Sequence, residues 1–473
     1  MANKTNRTIC LHSVPAVAAA AISLAGCALD TTPGHDEPGG DVVAATKQQL
    51  ATDGTNNILL IIADDIGVDN ISGYNEHNDS AYTPKIDSLA TSGVLFRNAW
   101  LNPMCSPSRA SVYTGRHAFR HGVLHPSDSE LNPAEETIAE VLSDAGYATA
   151  MFGKWHLGET SGYQPTDQGY NYFSGSLAGN ISDYFSWQKD TIDAAAGTSV
   201  TVTETSYATR VNQIEARTWI SEQTGPWFAT IAFNAGHSPF HVPPHELYTG
   251  RLSGNVGDAC TGSTDSQADC YRAMVESMDT YIGRLLSWLD RQGERDNTLV
   301  IFLGDNGTPG NVIIDNGVFS TTHGKSTVYE GGVNVPLIIS GAGVDTGVEV
   351  SDLVQVLDVF ATMREIGNGS SSSGITVDSQ SLYDYLTGTT ASSPRSSVYS
   401  ELYGLSGSID RWSVTNGTAK YLYNEGTEEC YDLSNDAGET SNQYDEVDAP
   451  IASVCDSLAG QRPCTPSSEC PGS

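Results

Sequence analysis

Basic residues are scarce in this chain. It carries 23 Lys and Arg against 57 Asp and Glu, a formal charge of −34 over 473 residues. Binding a phosphate backbone needs clustered cations, so the balance argues against nucleic acid as a partner. The overall field also disfavours long polyanionic substrates, although a local basic pocket can still hold a small anion. Long apolar runs are lacking too: past the N-terminus, no stretch is long enough to cross a bilayer. There are no internal repeats, and the composition excludes collagen, coiled coil and global disorder. Cysteine is used sparingly, nine times. What is present is a 39% share of hydrophobic residues. That is ample for a sizeable core, as one large α/β domain with an appendage or as two or more domains.

The N-terminus, MANKTNRTICLHSVPAVAAAAISLAGC, places Lys4 and Arg7 before an apolar run that ends at Cys27. This is the pattern of a secretory signal. The tetrad Leu24-Ala25-Gly26-Cys27 resembles the bacterial lipobox, in which the cysteine is acylated and becomes the new N-terminus. Residues 1–27 are therefore expected to be a lipoprotein signal peptide, and the protein to be exported and tethered by lipid. Ala28 rather than Asp follows the cysteine, which points to the outer membrane by analogy with enterobacterial sorting. Residues 28–55, rich in Gly, Pro, Asp and Thr, read as a flexible linker.

With Cys10 leaving in the signal, Cys27 lipidated and Cys105 reserved for chemistry, six cysteines remain. An even number in an oxidising compartment suggests disulfides. Cys260 and Cys270 bracket a short polar loop and are expected to pair. The connectivity of Cys430, Cys455, Cys464 and Cys470 stays open. Cys105 is the odd one out. It can be a metal ligand, a thiol nucleophile or the precursor of something else, and disulfide duty is the less favoured role.

NILLIIADDIG opens the folded part with an apolar run characteristic of a strand buried on both faces. TIAEVLSDAGYATAMFGKWH reads as a helix from about Thr137, a stop at Gly146 and a strand. PWFATIAFNAGHSP, the TLVIFLGDNG that follows a long amphipathic helix, and VPLIISGAG add further strands. Strands alternating with helices predict an α/β fold with a large, mostly parallel sheet flanked by helices, over residues 56–391. From residue 392 to 473 the pattern changes to the short strands SVYSEL, DRWSVTN, AKYLYN and CYDLS. A small C-terminal α+β domain with an antiparallel sheet and a Cys-rich tail is expected there.

Ligands in open α/β sheets gather beyond the carboxyl ends of the strands. Asp64, Asp65, Asp305 and Asn306 all follow apolar strands directly. If those strands are neighbours, the carboxylates repel unless a hard cation neutralises them, and all-oxygen ligation suits Ca²⁺ or Mg²⁺. Taken alone, Asp64-Asp65 reads more readily as an N-cap or turn than as a metal site; the second strand ending in Asp-Asn shifts the reading to metal. Arg109, Lys154, His156, His237 and Lys325 sit in comparable places. Beside a cation they describe a pocket for a tetrahedral oxyanion.

These residues carry a family resemblance. CSPSRASVYTGR, from Cys105 to Arg116, resembles the sulfatase signature C-x-P-S-R followed by a T-G-R turn. GYATAMFGKWHLG is similar to the second sulfatase signature. LLIIADDIG, FLGDNG, HGKSTVYEGGVNVP and CYDLSNDAGETSN resemble further landmarks in family order. The likeness runs from about Asn56 to Asn442. It implies an alkaline-phosphatase-like fold and hydrolysis of aryl or carbohydrate sulfate esters. It also implies oxidation of Cys105 to formylglycine by a maturation enzyme, with the hydrated aldehyde attacking sulfur and then expelling sulfate. Carried over by motif, Asp64, Asp65, Asp305 and Asn306 would bind Ca²⁺ with the modified Cys105, Mg²⁺ being less favoured. Arg109 and Lys154 would hold the hydrate, His156 would assist its deprotonation, and His237 and Lys325 would contact sulfate and the leaving oxygen. A phosphonate or phosphate ester hydrolase on the same scaffold is the alternative.

There are departures from the pattern. Asn334 stands where the family usually has Arg, and His323 where Gly is common. His241 is read as a loop residue without a catalytic role. Specificity is expected in Gly158–Ser186, Pro239–Cys270 and Thr308–Thr321. The alcohol, endo or exo action and oligomeric state are not legible.

Overall fold

The computed structural model describes residues 50–249, 260, 264–371, 374–389, 395–405, 409–444 and 451–463. The signal, Cys27, linker residues 28–49, Cys464 and Cys470 lie outside the described residues.

Ten strands build the main sheet: β1 (Asn57–Ala63), β2 (Gly93–Trp100), β3 (Ala148–Lys154), β4 (Tyr172–Ser176), β5 (Trp187–Asp193), β6 (Thr198–Glu204), β7 (Trp227–Ala232), β8 (Thr298–Gly304), β9 (Leu337–Ser340) and β10 (Val348–Gln355). Their order across the sheet is β10-β2-β9-β8-β1-β7-β3-β4-β5-β6. The central run β8-β1-β7-β3-β4 is parallel throughout, as is β10 with β2. Contacts of β9 with its neighbours and the β4-β5-β6 edge are antiparallel. This is the mixed, mostly parallel sheet that the alternation predicts.

The apolar run of β1 explains the layering. Ile58, Leu60 and Ile62 pack with Val112, Val359 and Phe360 on one face, while Leu59 and Ile61 pack with Met274, Met278 and Ile282 on the other. Successive side chains point to opposite faces, so a strand covered by helices on both sides must be apolar at every position. Each such side chain contributes roughly 1.5–3 kcal/mol on burial. Thr137 caps the helix Ile138–Asp144 in a reciprocal box with Glu140, as its position in the sequence implies. No helix among the described residues is long and apolar enough to cross a membrane.

A second sheet, β11 (Val398–Tyr403), β12 (Ile409–Thr415), β13 (Ala419–Asn424) and β14 (Thr427–Asp432), is antiparallel in sequential order. It docks on the first through Trp100, Leu353 and Val398. The helix Ala452–Ala459 packs against β13, and a Cys430–Cys455 disulfide ties it to β14. Cys260 pairs with Cys270, as expected.

Two features differ from the sequence reading. Leu50 is 1% exposed within the core, and its carbonyl accepts from the Tyr383 hydroxyl at 2.9 Å. Core packing therefore begins within the segment assigned to the linker. The β5-β6 hairpin extends the sheet where no apolar run marked a strand, because β6 is an exposed edge with nothing to cover it.

Candidate active site

Strand order assembles the site. β8, β1, β7 and β3 are adjacent and parallel, so their carboxyl ends open on one side. Asp305 and Asn306 follow β8, Asp64 and Asp65 follow β1, His237 lies five residues past β7, and Lys154 closes β3 with His156 just beyond. Gly153 has φ +96°, and a Cβ there would come within 2.0 Å of the Ala232 carbonyl oxygen. Only glycine lets β3 lie this close to β7 at the end that carries Lys154.

Cys105 begins the helix Cys105–Thr114, which points its N-terminus into the same space. It is the free cysteine of the described residues and is 3% exposed. Its Sγ lies 3.6 Å from Asp64 Oδ1, 3.5 Å from Asp65 Oδ1 and 3.4 Å from Lys325 Nζ. Burial pushes the thiol well above its ordinary pKa, outweighing the pull of Lys154 and Lys325. The side chain is therefore not disulfide-bonded, which removes that role from those considered.

The charges around it are tightly paired. Lys154 Nζ donates to both Asp64 oxygens, at 2.9 and 2.8 Å. Lys325 Nζ meets Asp65 Oδ1 at 2.5 Å, and its backbone N–H is anchored on the Thr308 carbonyl at 2.9 Å. Arg109 donates from Nε to Asp305 Oδ2 at 2.9 Å and from Nη1 to the Lys154 carbonyl at 2.8 Å, with Nη2 in ion-pair contact with the same Asp305 oxygen at 2.8 Å. Asp305 Oδ1 accepts from the Asp65 backbone N–H at 3.0 Å. Burial alone would raise the Asp64 carboxyl; Lys154, His237, Arg109 and Lys325 together hold it below the usual range. For Asp305, burial and Asp64 prevail over Arg109, and its pKa is raised.

This donor set fits a hard divalent cation. Asp64, Asp65, Cys105 and Asp305 each offer a ligand atom within 4.8 Å of the others. Asn306 donates its amide to Asp65 Oδ1 at 2.9 Å, but its own Oδ1 is buried and unpartnered. An orphaned oxygen beside three crowded carboxylates is what a Ca²⁺ or Mg²⁺ ion would satisfy. Three carboxylates (Asp64, Asp65, Asp305) are offset here by three permanent cations (Arg109, Lys154, Lys325). A divalent ion would leave the cluster with a surplus of two positive charges, matched to an anionic substrate.

Two histidines differ in role. His156 is half-buried, with its Nδ1 buried and unpartnered. Burial, then Lys154 and Arg109, lowers its pKa to about 2, so the ring is neutral. His237 stands nearer the mouth, its Nε2 3.9 Å from Asp65 Oδ2. Its Nδ1 lies 2.7 Å from the Ser238 carbonyl, which can only accept, so Nδ1 carries the proton and Nε2 is free. Asp65, His156 and Ser326, next to Lys325, all have positive φ, at 62°, 62° and 68°. Each costs about 1–2 kcal/mol in a non-glycine residue, and all three sit at this one cluster.

Every predicted site residue thus converges here. His241 does not reach the charged cluster: its ring packs 4.1 Å from Tyr184 and its Nε2 lies 3.2 Å from the Tyr207 hydroxyl. His323 stacks on Tyr329. Near Asn334, a cation is supplied from the other sheet. Lys420 of β13 bonds Glu330 and Glu439, at 3.1 and 2.7 Å, and lies 4.5 Å over Trp100, which bridges to Asn334.

Sequence reasoning missed three supports. Tyr271 holds the Asp65 carbonyl at 2.8 Å, Tyr184 holds the His237 carbonyl at 2.8 Å, and Gly179 lies under His156. Tyr271 adjoins the paired Cys270 at the start of the long helix, which was its only local signal. A Cβ at Gly179 would sit 2.2 Å from His156 Nε2. Gly179→Ala is expected to push the imidazole aside, lowering kcat roughly tenfold, about 1.4 kcal/mol, with an unchanged melting temperature. Wild-type kcat would show that His156 tolerates displacement.

The chain belongs to the sulfatase family, whose sequence model matches residues 56–368. Among its relatives, mouse arylsulfatase J is 27% identical over 363 residues, covering 72% of this chain and 58% of the relative. Human N-acetylgalactosamine-6-sulfatase is 30% identical over 340 residues, covering 65% of this chain and 61% of the relative. The chain thus spans about three fifths of the length of these two. In fold it is similar to the crystal structure of Ps i-CgsB in complex with k-i-k-neocarrahexaose. That likeness has a TM-score of 0.72 and 23% identity, over 86% of this chain and 92% of the other.

Proposed function

We propose that the protein is an exported, lipid-anchored sulfatase that hydrolyses aryl or carbohydrate sulfate esters to an alcohol and inorganic sulfate. The observation that carries this reading is Cys105, buried at a helix N-terminus between the ammonium of Lys325 and the carboxylates of Asp64 and Asp65. A maturation enzyme would convert Cys105 to formylglycine, whose hydrate supplies the nucleophilic oxygen. Asp64, Asp65, Asp305 and the orphaned Asn306 oxygen would hold one Ca²⁺, which supplies positive charge at the sulfate oxygens.

The chain's own side chains do the rest. Arg109, locked by Asp305 and the Lys154 carbonyl, fixes the register of the Cys105 helix against β3. Lys154 and Lys325 hold their ammonium groups beside Asp64, Asp65 and Cys105, where the sulfate of a substrate would meet them. Burial, and after it the charges of Lys154 and Arg109, hold His156 neutral. The neutral ring can take a proton from the nucleophile. His237 Nε2, near the mouth, contacts the departing oxygen.

A phosphonate or phosphate ester hydrolase would use the same tetrahedral pocket. Kinetics of the matured enzyme on sulfate and phosphate monoesters with one common aryl leaving group separate the two. Sulfate is expected to turn over with the higher kcat/KM, and a preference for phosphate would reverse the assignment.

A further inference from the structure

A groove of about 510 Å³ lies between the helices Ala208–Ile220 and Thr264–Gln292, away from the carboxylate cluster. Lys85, Arg210, Arg217, Arg284 and Arg291 line it, with no carboxylate among its lining residues. Five of the 23 basic residues thus share one groove in a chain of net charge −34. Arg284 stacks over Tyr281 at 4.8 Å. Among the described residues, none of these five side chains has a carboxylate within ion-pair distance. Asp279, next to Lys85, is occupied by the backbone N–H groups of Lys85 and Ile86, at 2.9 and 2.8 Å. Unpaired cations this close repel one another, and the arrangement gains stability only when an anion enters. Arg forks suit the oxygens of a sulfate group.

One point of the groove, at Tyr281, is linked to the active site by a chain of side-chain contacts. Tyr281 lies 6.4 Å from Tyr207, Tyr207 lies 5.5 Å from His241, and His241 packs on Tyr184, which holds the His237 carbonyl. Along the long helix, Arg284 is 13 residues and Arg291 is 20 residues beyond Tyr271. At 1.5 Å per residue these are about 20 and 30 Å from the Asp65 contact. A ligand touching both ends is a polymer rather than a single sugar.

We propose that this groove is a second, non-catalytic binding site for clustered sulfate groups of a polyanionic polysaccharide. It would hold a chain on the enzyme while one ester is presented to the cluster at the strand ends. Sulfated glycan as the source of the anions rests on the sulfate-ester reading above. The groove also changes the inference from net charge: the chain as a whole repels polyanions, but this face does not.

The test uses the mature full-length enzyme and dextran sulfate as the probe, with unmodified dextran as the control. Affinity is measured at low and raised salt for wild type and for Arg210→Gln/Arg217→Gln/Arg291→Gln. The variant is expected to bind dextran sulfate roughly tenfold or more weakly and with a shallower salt dependence. Its melting temperature and its turnover of a small aryl sulfate should be unchanged. Undiminished binding by the variant overturns the proposal. So does tighter retention on phosphatidylglycerol vesicles than on dextran sulfate, which would make the groove a membrane-facing surface. Absent aryl sulfate turnover in wild type would sink the enzymatic reading instead, since groove binding is scored without catalysis.

Discussion

Cys105→Ser is expected to leave a folded protein whose sulfate-ester turnover has fallen roughly 10³-fold or more, the scale of losing a covalent nucleophile. The site tolerates the change structurally. The thiol is buried, makes only long contacts to Asp64, Asp65 and Lys325, and sits at the first turn of its helix, where serine is acceptable. The chemistry does not tolerate it. A hydrated aldehyde has two hydroxyls on one carbon, one to attack and one from which to expel sulfate; serine has one. Attack remains feasible, so position 105 is expected to accumulate covalent sulfate, visible by mass spectrometry of the intact protein. Water resolves a phosphoserine more readily by in-line attack on phosphorus. A variant that keeps steady sulfate turnover would overturn the formylglycine reading. One that loses sulfate but retains phosphate turnover would favour the phosphate ester hydrolase.

Asp305→Asn is expected to lower kcat/KM by roughly 10²–10³-fold, about 3–4 kcal/mol, with the loss only partly restored by excess Ca²⁺. Asp305 has two tasks that the sequence does not separate. Its oxygens belong to the candidate cation site, and they also neutralise Arg109, which is 0% exposed. Asp305→Ala therefore does more than vacate a strand end. It strands a buried guanidinium, at a cost on the order of 3–5 kcal/mol, and a clear fall in melting temperature is expected. The asparagine variant retains an acceptor for Arg109 and should melt closer to wild type. Calorimetry with added Ca²⁺ and with chelator separates the tasks: wild type should be stabilised by the ion and Asp305→Asn much less so. Equal Ca²⁺ stabilisation of both proteins would remove Asp305 from the cation site.

The site was legible in the sequence because its residues are tied to features that act over short range. An apolar run that stops at Asp64-Asp65 or Asp305-Asn306 records a buried strand ending where backbone groups meet solvent and ligand. Cys105 to Arg109 is one helical turn, and Gly115 closes that helix in the left-handed conformation that favours glycine. The fold class followed for the same reason, from strand and helix periods visible in each segment.

What the chain could not disclose locally, the tertiary structure decided. Nothing near Asp64 states that β1 lies between β8 and β7; hydrophobic periodicity is blind to strand order, and that order alone brings Asp305, His237 and Lys154 around it. The Cys430–Cys455 bond was one of several connectivities until β14 and the helix Ala452–Ala459 were set side by side. Lys420 is 86 residues after Asn334, and only the second sheet puts it over Trp100. The five basic residues of the groove are spread from Lys85 to Arg291 in a strongly acidic chain. Charge counted along a sequence averages to the bulk value, and only packing of the helix Pro84–Thr91 with the two that flank the groove gathers these cations within reach of one ligand.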